Sequence, residues 1–368
     1  MEEFNKNIDQ LMFPDEILRS VYWQERGCFH HKIVEQHDKI GISNEINRAA
    51  SAILAADKVL FITGAGAGVD MGLPDFRSSN LFWEQLAHPD ISRYEDSSNS
   101  KWFEMDPEFA WGLNFHQISM YRNASIHAGY DAMKKLSKLK GDDNFCFTSN
   151  IDGVLQRSGF NPNKVREIHG NIHRVQCIHY DCKNDKGIRD AWEETVEMKY
   201  NPTTFRAESE LPHCPKCGSL SRPNIWYCTD RNYVPYSQSV EISDAYHRWL
   251  DDLEESGKTI AVIEIGAGLV IPSCRVEAED VAERLKGALI RINPTDYMVP
   301  ITGEQQQQRQ LESYRAPENA DGSVISAADT SKLTSAVGIP MGAAEGLVEI
   351  LKRVQQQQQL MLEREQSY

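Results

Sequence analysis

The sequence predicts an α/β protein: a doubly wound parallel sheet with a smaller metal-binding lobe. Three observations carry this. Four short apolar runs (Lys58 to Thr63, Asn144 to Thr148, Thr259 to Ile265, Ala288 to Asn293) each end in small or polar residues. Helical patterns separate several of them, the alternation that builds a parallel, Rossmann-like sheet. Two cysteine pairs fall between the second and third runs, where a small lobe can be inserted.

Length and composition set the frame. The chain has 368 residues, 40% hydrophobic and 25% charged, enough for one large domain or two to three modules with a buried core. Thirty-nine basic against 54 acidic residues give a formal charge of −15. That speaks against a direct nucleic-acid footprint and is compatible with basic protein tails as partners. No apolar run approaches the roughly 20 residues a spanning helix needs. The acidic start Met1-Glu2-Glu3 lacks signal-peptide character. The expectation is a soluble intracellular protein, cytoplasmic or nuclear, without membrane contact and of open oligomeric state.

Residues 1–44 read as an N-terminal extension, ahead of a core domain expected over 45–300 and closed by 339–354. Glu45 to Ala56 is predicted helical, because Ile46, Ala49, Ala50, Ile53 and Leu54 recur at helical spacing. Lys58 to Thr63 is a short strand that runs into Gly64-Ala65-Gly66-Ala67-Gly68. About 79–122 is a helical module rich in aromatics (Phe82, Trp83, Trp102, Phe103, Phe109, Trp111, Phe115), expected to be core because large rings favour burial. Ile126 to Leu139 is an amphipathic helix. The second strand, Asn144 to Thr148, leads into Ser149-Asn150-Ile151-Asp152-Gly153. About 171–222 is the cysteine lobe. The third and fourth strands end in Gly266-Ala267-Gly268 and Asn293-Pro294. Residues 301–338, with Gln305 to Gln308, read as a flexible insertion, and 355–368 as a polar tail. In a parallel sheet the strands' carboxyl ends face one crevice, where ligands bind. The four polar strand ends therefore mark the expected site.

Each motif has a chemical reading. Glycines after a strand let backbone N–H groups approach a pyrophosphate. Gly64 to Gly68 is not the G-x-G-x-x-G fingerprint and has no following lysine, so taken alone it fits a nucleotide site or a tight turn. Asp75-Phe76-Arg77 adds an acid, a ring and a guanidinium in a proline-fixed loop. Arg77 could pair with phosphate and Phe76 could cover a ring; a salt bridge and a core aromatic are the plainer alternative. Cys177 and Cys182 have four residues between them, Cys214 and Cys217 two, and 31 separate the pairs. In a chain that is not secreted this fits a closed structural zinc site, with His179 and His213 as rival ligands and buried free thiols as the alternative.

Gly72-Leu73-Pro74-Asp75-Phe76-Arg77 after the glycine turn resembles the first motif of the sirtuin family, NAD-dependent protein deacylases, which reads G-A-G-x-S-x-x-x-G-I-P-D-F-R. The resemblance continues in family order. Asn123-Ala124-Ser125-Ile126-His127-Ala128 is similar to P-N-x-x-H-x-A, and Thr148 to Gly153 to T-Q-N-I-D-G. Glu167-Ile168-His169-Gly170-Asn171 matches E-L-H-G-N, and Arg222 to Tyr227 resembles R-P-x-V-V-W-F. Gly266 to Leu269 stands at G-T-S-L, Ile292-Asn293 at I-N, and Gly342-Ala343 at the late G-D/S-A. The eight motifs cover about 45–300 and 340–354.

The resemblance implies a deacylase that consumes NAD and acts on an acylated protein lysine. NAD would be bound by Gly64, Ala65, Gly66, Asp75, Phe76, Arg77, Ser149, Asn150, Ile151, Asp152, Gly266, Gly268 and Asn293. Asp152 would read the carboxamide, Asn150 would sit at the ribose, and His169 would be the base that takes a ribose hydroxyl proton. Ile225, Trp226 and Tyr227 would border the substrate, and Cys177, Cys182, Cys214 and Cys217 would hold zinc. Four departures lie at functional positions. Gly68 and Gly268 lack hydroxyls that the family places against NAD, and Ser149 replaces a longer glutamine. The family's F-G-E after the tryptophan is replaced within Tyr227-Cys228-Thr229-Asp230. Two alternatives therefore stay open: ADP-ribosyl transfer or NAD hydrolysis on the same fold, and a non-catalytic NAD-binding module.

Overall fold

Lys58–Thr63 (β1) is buried along nearly its whole length, as a strand covered on both faces must be. The computed structural model describes residues 39–75, 86, 88, 90–92, 94–179, 182, 187–299 and 336–366. It places β1 inside a six-stranded sheet whose order is Val165–Glu167 (β3), Phe145–Thr148 (β2), β1, Ile260–Ile265 (β7), Ala288–Ile292 (β8) and Ala336–Ile339 (β9). Every pairing in it is parallel. Alternate side chains of β1 enter two cores. Val59 and Phe61 face Lys39–Ala55 (α1), Ala128–Leu139 (α3) and Ala343–Gln366 (α6), while Leu60 and Ile62 face Ser237–Glu255 (α4) and Ser273–Arg284 (α5). The fold is the predicted doubly wound sheet. Strand order reverses between β1 and β7, so their carboxyl ends open the crevice that such a switch point creates.

The second lobe is a three-stranded antiparallel sheet: Arg189–Asp190 (β5), Gly170–Cys177 (β4) and Ser221–Ile225 (β6). It shares one core with Pro107–Asn123 (α2), built from Trp111, Phe115, Ile172, Val175, Phe205 and Ile225 among others. The Trp111 indole N–H donates to the Ser221 carbonyl at 2.9 Å. A Cβ on Gly112 would lie 2.0 Å from the Phe205 carbonyl oxygen, so only glycine lets the lobe's backbone reach α2. Helical module and cysteine lobe thus share one core, joined to the sheet by the segments that enter β4 and leave β6 and by the turn from α2 into α3.

Several predicted boundaries move. The first helix begins at Lys39, inside the expected extension, because Ile42 packs on the core one turn ahead of Ile46. Residues 336–338 were assigned to the glutamine-rich insertion but belong to β9, a four-residue edge strand of small residues paired with β8. The closing helix starts at Ala343 and continues through the expected polar tail to Gln366, since glutamine is a good helix former and nothing stops the helix. The aromatic module holds helices at Tyr94–Ser97 and Trp102–Met105 as well as α2. Phe82, Trp83 and Gln305 to Gln308 lie outside the described residues. Among the described residues no helix is long and apolar enough to cross a membrane.

Candidate functional site

Two glycine loops interlock at the switch point. The Gly66 N–H donates to the Gly266 carbonyl at 2.9 Å, and Gly266 has φ 62°. A Cβ on Gly64 would meet that carbonyl oxygen at 2.7 Å, and one on Gly266 would lie 2.2 Å from the Ala67 nitrogen. Ala65 opens the 3₁₀ turn Ala65–Met71 that follows β1. The Ala267 carbonyl is fixed from beneath: it accepts from Arg275 Nη2 at 2.9 Å and from Asn293 Nδ2 at 3.1 Å. Asn293 Oδ1 in turn accepts from the Thr295 and Asp296 N–H groups at 3.0 and 2.9 Å. Asn293 therefore shapes the loop. A side chain at Gly268 would meet open space, whereas one at Gly68 would press on Leu73 at 3.1 Å.

The loop after β2 brings the polar groups in. Thr63 and Thr148 hydroxyls bond at 2.7 Å across the two strand ends. Asn150 takes the Thr148 hydroxyl with its N–H at 3.0 Å and gives its amide N–H to the Gly64 carbonyl at 3.0 Å. The second bond fixes the orientation of the Asn150 side chain. Ser149 accepts from the buried Cys274 thiol at 3.3 Å, and Ile151 accepts the Ile172 N–H at 3.0 Å. Asp152 is buried, and its Oδ1 accepts from the Val154 N–H at 2.8 Å. Burial pushes its carboxyl up to about 6, against the lowering effect of that N–H.

His169 follows β3. Its Nδ1 lies 3.0 Å from the Ser149 carbonyl, which can only accept, so Nδ1 carries the proton and Nε2 is the basic nitrogen. Two residues earlier, Glu167 anchors the turn. It accepts from Gln156 at 2.8 Å, Asn171 at 2.6 Å and Arg174 at 2.5 Å. The motif around Glu167 does not announce this role, because its partners come together only in the fold. His127 is similar: its Nδ1 accepts the Gly129 N–H at 3.0 Å and its Nε2 donates to Ala67 at 3.0 Å, capping α3 and bracing the glycine turn.

β6 ends beside His169. Ile225 pairs with Gly170 and is core, and the Trp226 N–H donates to the His169 carbonyl at 2.9 Å. Trp226 stacks on Tyr233 at 5.3 Å, and the buried Tyr227 hydroxyl donates to Asn114 at 2.9 Å. Thr229 stands in the left-handed region at φ 59°, the conformation a glycine takes without strain. The turn is held by a fully buried Arg222–Asp230 pair at 2.6 Å. Thr229 thus holds a backbone conformation that favours glycine, in a segment where the family motif carries one. Thr229 is exposed, so Thr229→Gly removes strain without opening a cavity and is expected to raise stability by about 1 kcal/mol, read by chemical denaturation.

Cys177, Cys182, Cys214 and Cys217 gather with their sulfurs all within 4.8 Å of one another. Cys177–Cys217 and Cys182–Cys214 are 3.5 and 3.8 Å apart. Zinc–sulfur bonds of about 2.3 Å at tetrahedral angles give edges close to this, so the donor set fits a closed zinc site. The Ser219 hydroxyl and backbone N–H draw the Cys217 thiol down to about 6, whereas burial pushes the Cys177 and Cys182 thiols up, as fits four sulfurs crowded together. His213 is spent on the Leu211 carbonyl at 2.7 Å, and His179 is outside the cluster. Asp75 ends a described segment, and Phe76 and Arg77 lie outside the described residues. Of the other expected residues, Gly64, Ala65, Gly66, Gly266, Gly268 and Asn293 lie in or beside the two interlocked loops, Ser149 to Asp152 in the loop after β2, and Ile225 to Tyr227 at the end of β6.

Comparison with known proteins gives a consistent answer. A family model described as the Sir2 family matches residues 64–246. An NAD-dependent protein deacylase of Thermococcus kodakarensis is 30% identical over 183 residues, 50% of this chain and 64% of that protein. One of Candida albicans is 26% identical over 276 residues, covering 65% of this chain and 83% of the relative. Among solved structures, a Sir2 homologue in complex with NAD shares the fold at 21% identity, with a TM-score of 0.55 over 89% of this chain and 97% of that one.

Proposed function

The chain belongs to the Sir2 family, and from that premise we propose that it is an NAD-dependent protein-lysine deacylase. Its products would be nicotinamide, O-acyl-ADP-ribose and free lysine. The single observation that carries the reading is the convergence of Asn150, Asp152 and His169 at a crevice floored by interlocked glycine loops. A general base, a buried carboxyl and an oriented amide at a nucleotide-type cradle suit cleavage of a glycosidic bond better than hydride transfer.

The residues divide the work by chemistry. Gly64, Ala65 and Gly66 would offer N–H groups and room to the diphosphate, with Asp75, Phe76 and Arg77 as the neighbouring loop. Asp152 would accept from the nicotinamide carboxamide N–H, which needs the ionised form. Asn150 Oδ1 would accept from a ribose hydroxyl as positive charge grows at the anomeric carbon, while the acyl oxygen of the modified lysine attacks there. His169 Nε2 would then remove a ribose hydroxyl proton, its ring held by Ser149. NAD is co-substrate in this scheme. Zinc on the four cysteines would hold the lobe together and take no part in bond breaking.

The alternative, ADP-ribosyl transfer or hydrolysis without a peptide, drew on the altered Tyr227 to Asp230 segment. The glycine-like turn at Thr229 and the buried Arg222–Asp230 brace favour an intact substrate edge beyond β6. An acylated lysine in an extended peptide is the partner this edge suits. Four clustered unpaired thiols also fit a reducing intracellular compartment. The test is nicotinamide release with and without an acetyl-lysine peptide. Release that requires the peptide is expected, and equal release without it would favour the hydrolase.

Asp152 gives this reading a pH signature. Its carboxyl titrates at about 6, so ionised acceptor is lost as pH falls through that value. kcat/KM for NAD is expected to drop about tenfold per pH unit below 6, since this parameter reports the free enzyme. Asp152→Asn should lower kcat/KM at pH 7.5 and abolish its own share of the acid limb.

A further inference from the structure

His173 lies on β4, two residues past the motif that supplies His169, and no role in the chemistry falls to it by sequence. It is 5% exposed. Its Nε2 is 3.2 Å from the Asp152 carbonyl, which can only accept, so Nε2 carries the proton. Its Nδ1 is then a buried acceptor, and it has no partner among the described residues. Burial and the nearby charges of Arg122, Arg157 and Arg174 hold the imidazole down to about 3, so the ring is a fixed neutral donor at any working pH. A buried acceptor left unmatched costs stability. The ring is thus poorly suited to be a core filler and well placed as a donor.

What it holds is the loop that carries Asp152. The Ile172 N–H donates to Ile151 at 3.0 Å, one residue before the His173 contact. A Cβ on Gly153 would sit 3.1 Å from His173 Cδ2, and Gly153 takes φ 66° to pass beneath the ring. Val154, whose N–H fixes the Asp152 carboxyl, follows directly. On its other side His173 packs against Trp192 at 4.5 Å, and its carbonyl accepts the Ala191 N–H at 2.8 Å. The ring is therefore wedged between the cysteine lobe and the loop after β2.

We propose that His173 is a positioning residue for Asp152, through which β4 of the cysteine lobe sets the orientation of the carboxyl that reads nicotinamide. This rests on the NAD reading above. It makes recognition of the nicotinamide moiety depend on His173, while the ADP-ribose moiety, held by the glycine loops, does not.

The test uses the full-length protein as His173→Phe, which keeps an aromatic ring and removes the donor, and His173→Gln, which restores an N–H. Nicotinamide is measured as a product inhibitor, ADP-ribose binding by calorimetry, and stability by thermal melting. In His173→Phe the nicotinamide inhibition constant should rise about tenfold, with ADP-ribose affinity within twofold of wild type and the melting temperature unchanged or higher. His173→Gln should recover most of the nicotinamide affinity. Unchanged nicotinamide inhibition in His173→Phe would overturn the inference, as would loss of both affinities together with a lower melting temperature. A wild-type protein that binds no ADP-ribose would overturn the NAD reading itself and this inference with it, which separates the two failures.

Discussion

Replacing His169 by alanine is expected to lower kcat for deacylation by about 10²–10⁴-fold, the usual contribution of a positioned general base. The fold should persist, because the side chain is only half-buried and a hydrogen bond such as that to Ser149 is worth about 1 kcal/mol. The sharper expectation concerns which step is lost. The base acts after the glycosidic bond has broken, so His169→Ala should still exchange labelled nicotinamide into NAD in the presence of acyl peptide. Asn150→Ala, which removes the acceptor at the ribose, should lose exchange and deacylation together. Loss of exchange in His169→Ala at unchanged NAD affinity would place the histidine in the first step and contradict its assigned role.

Loss of the metal should have an effect of similar size through a different route. Structural zinc sites contribute about 10–16 kcal/mol to folding in small zinc peptides. Here β4 runs from Gly170, directly after His169, to Cys177 of the four-sulfur cluster, and β6 leads out of the same lobe into Trp226. Unfastening the thiolates frees both borders of the crevice. The protein as purified should carry one zinc per chain by elemental analysis. Cys214→Ser, or prolonged chelation, should release it, cut deacylation by more than about 100-fold and add a low-temperature transition to the melting curve. Exchange of zinc for cadmium, which keeps the thiolate cage and has no resident role in bond breaking, should preserve activity. A zinc-free protein with full activity would show that the cysteines are merely buried thiols.

The parts of this molecule that sequence could announce share one trait: their residue types are chemically constrained. Gly64, Gly66 and Gly266 are legible because a Cβ at each would strike backbone across the switch point. The four cysteines are legible because two short spacings bring four sulfurs together once the lobe closes. β1 and β7 are legible as buried β-branched runs. β9 is not, because Ala336-Val337-Gly338-Ile339 has the composition of a loop and becomes a strand only by pairing with β8. The side chain of Asn293 also shapes the turn it caps and the Ala267 loop, which no spacing reveals. Thr229 is another: its left-handed backbone, next to the buried pair of Arg222 with Asp230, is not announced by a threonine in the sequence. Positions that act through tertiary hydrogen bonds, such as His173 and Arg275, carry no local pattern at all.

The measurement that bears most directly on the proposed activity is the mass spectrum of the products formed from NAD and an acetyl-lysine peptide. Equimolar free lysine peptide, nicotinamide and O-acetyl-ADP-ribose is the predicted result, with little free ADP-ribose when peptide is left out. Free ADP-ribose formed at the same rate with or without peptide, or ADP-ribose added to protein while the acetyl group stays in place, would contradict it.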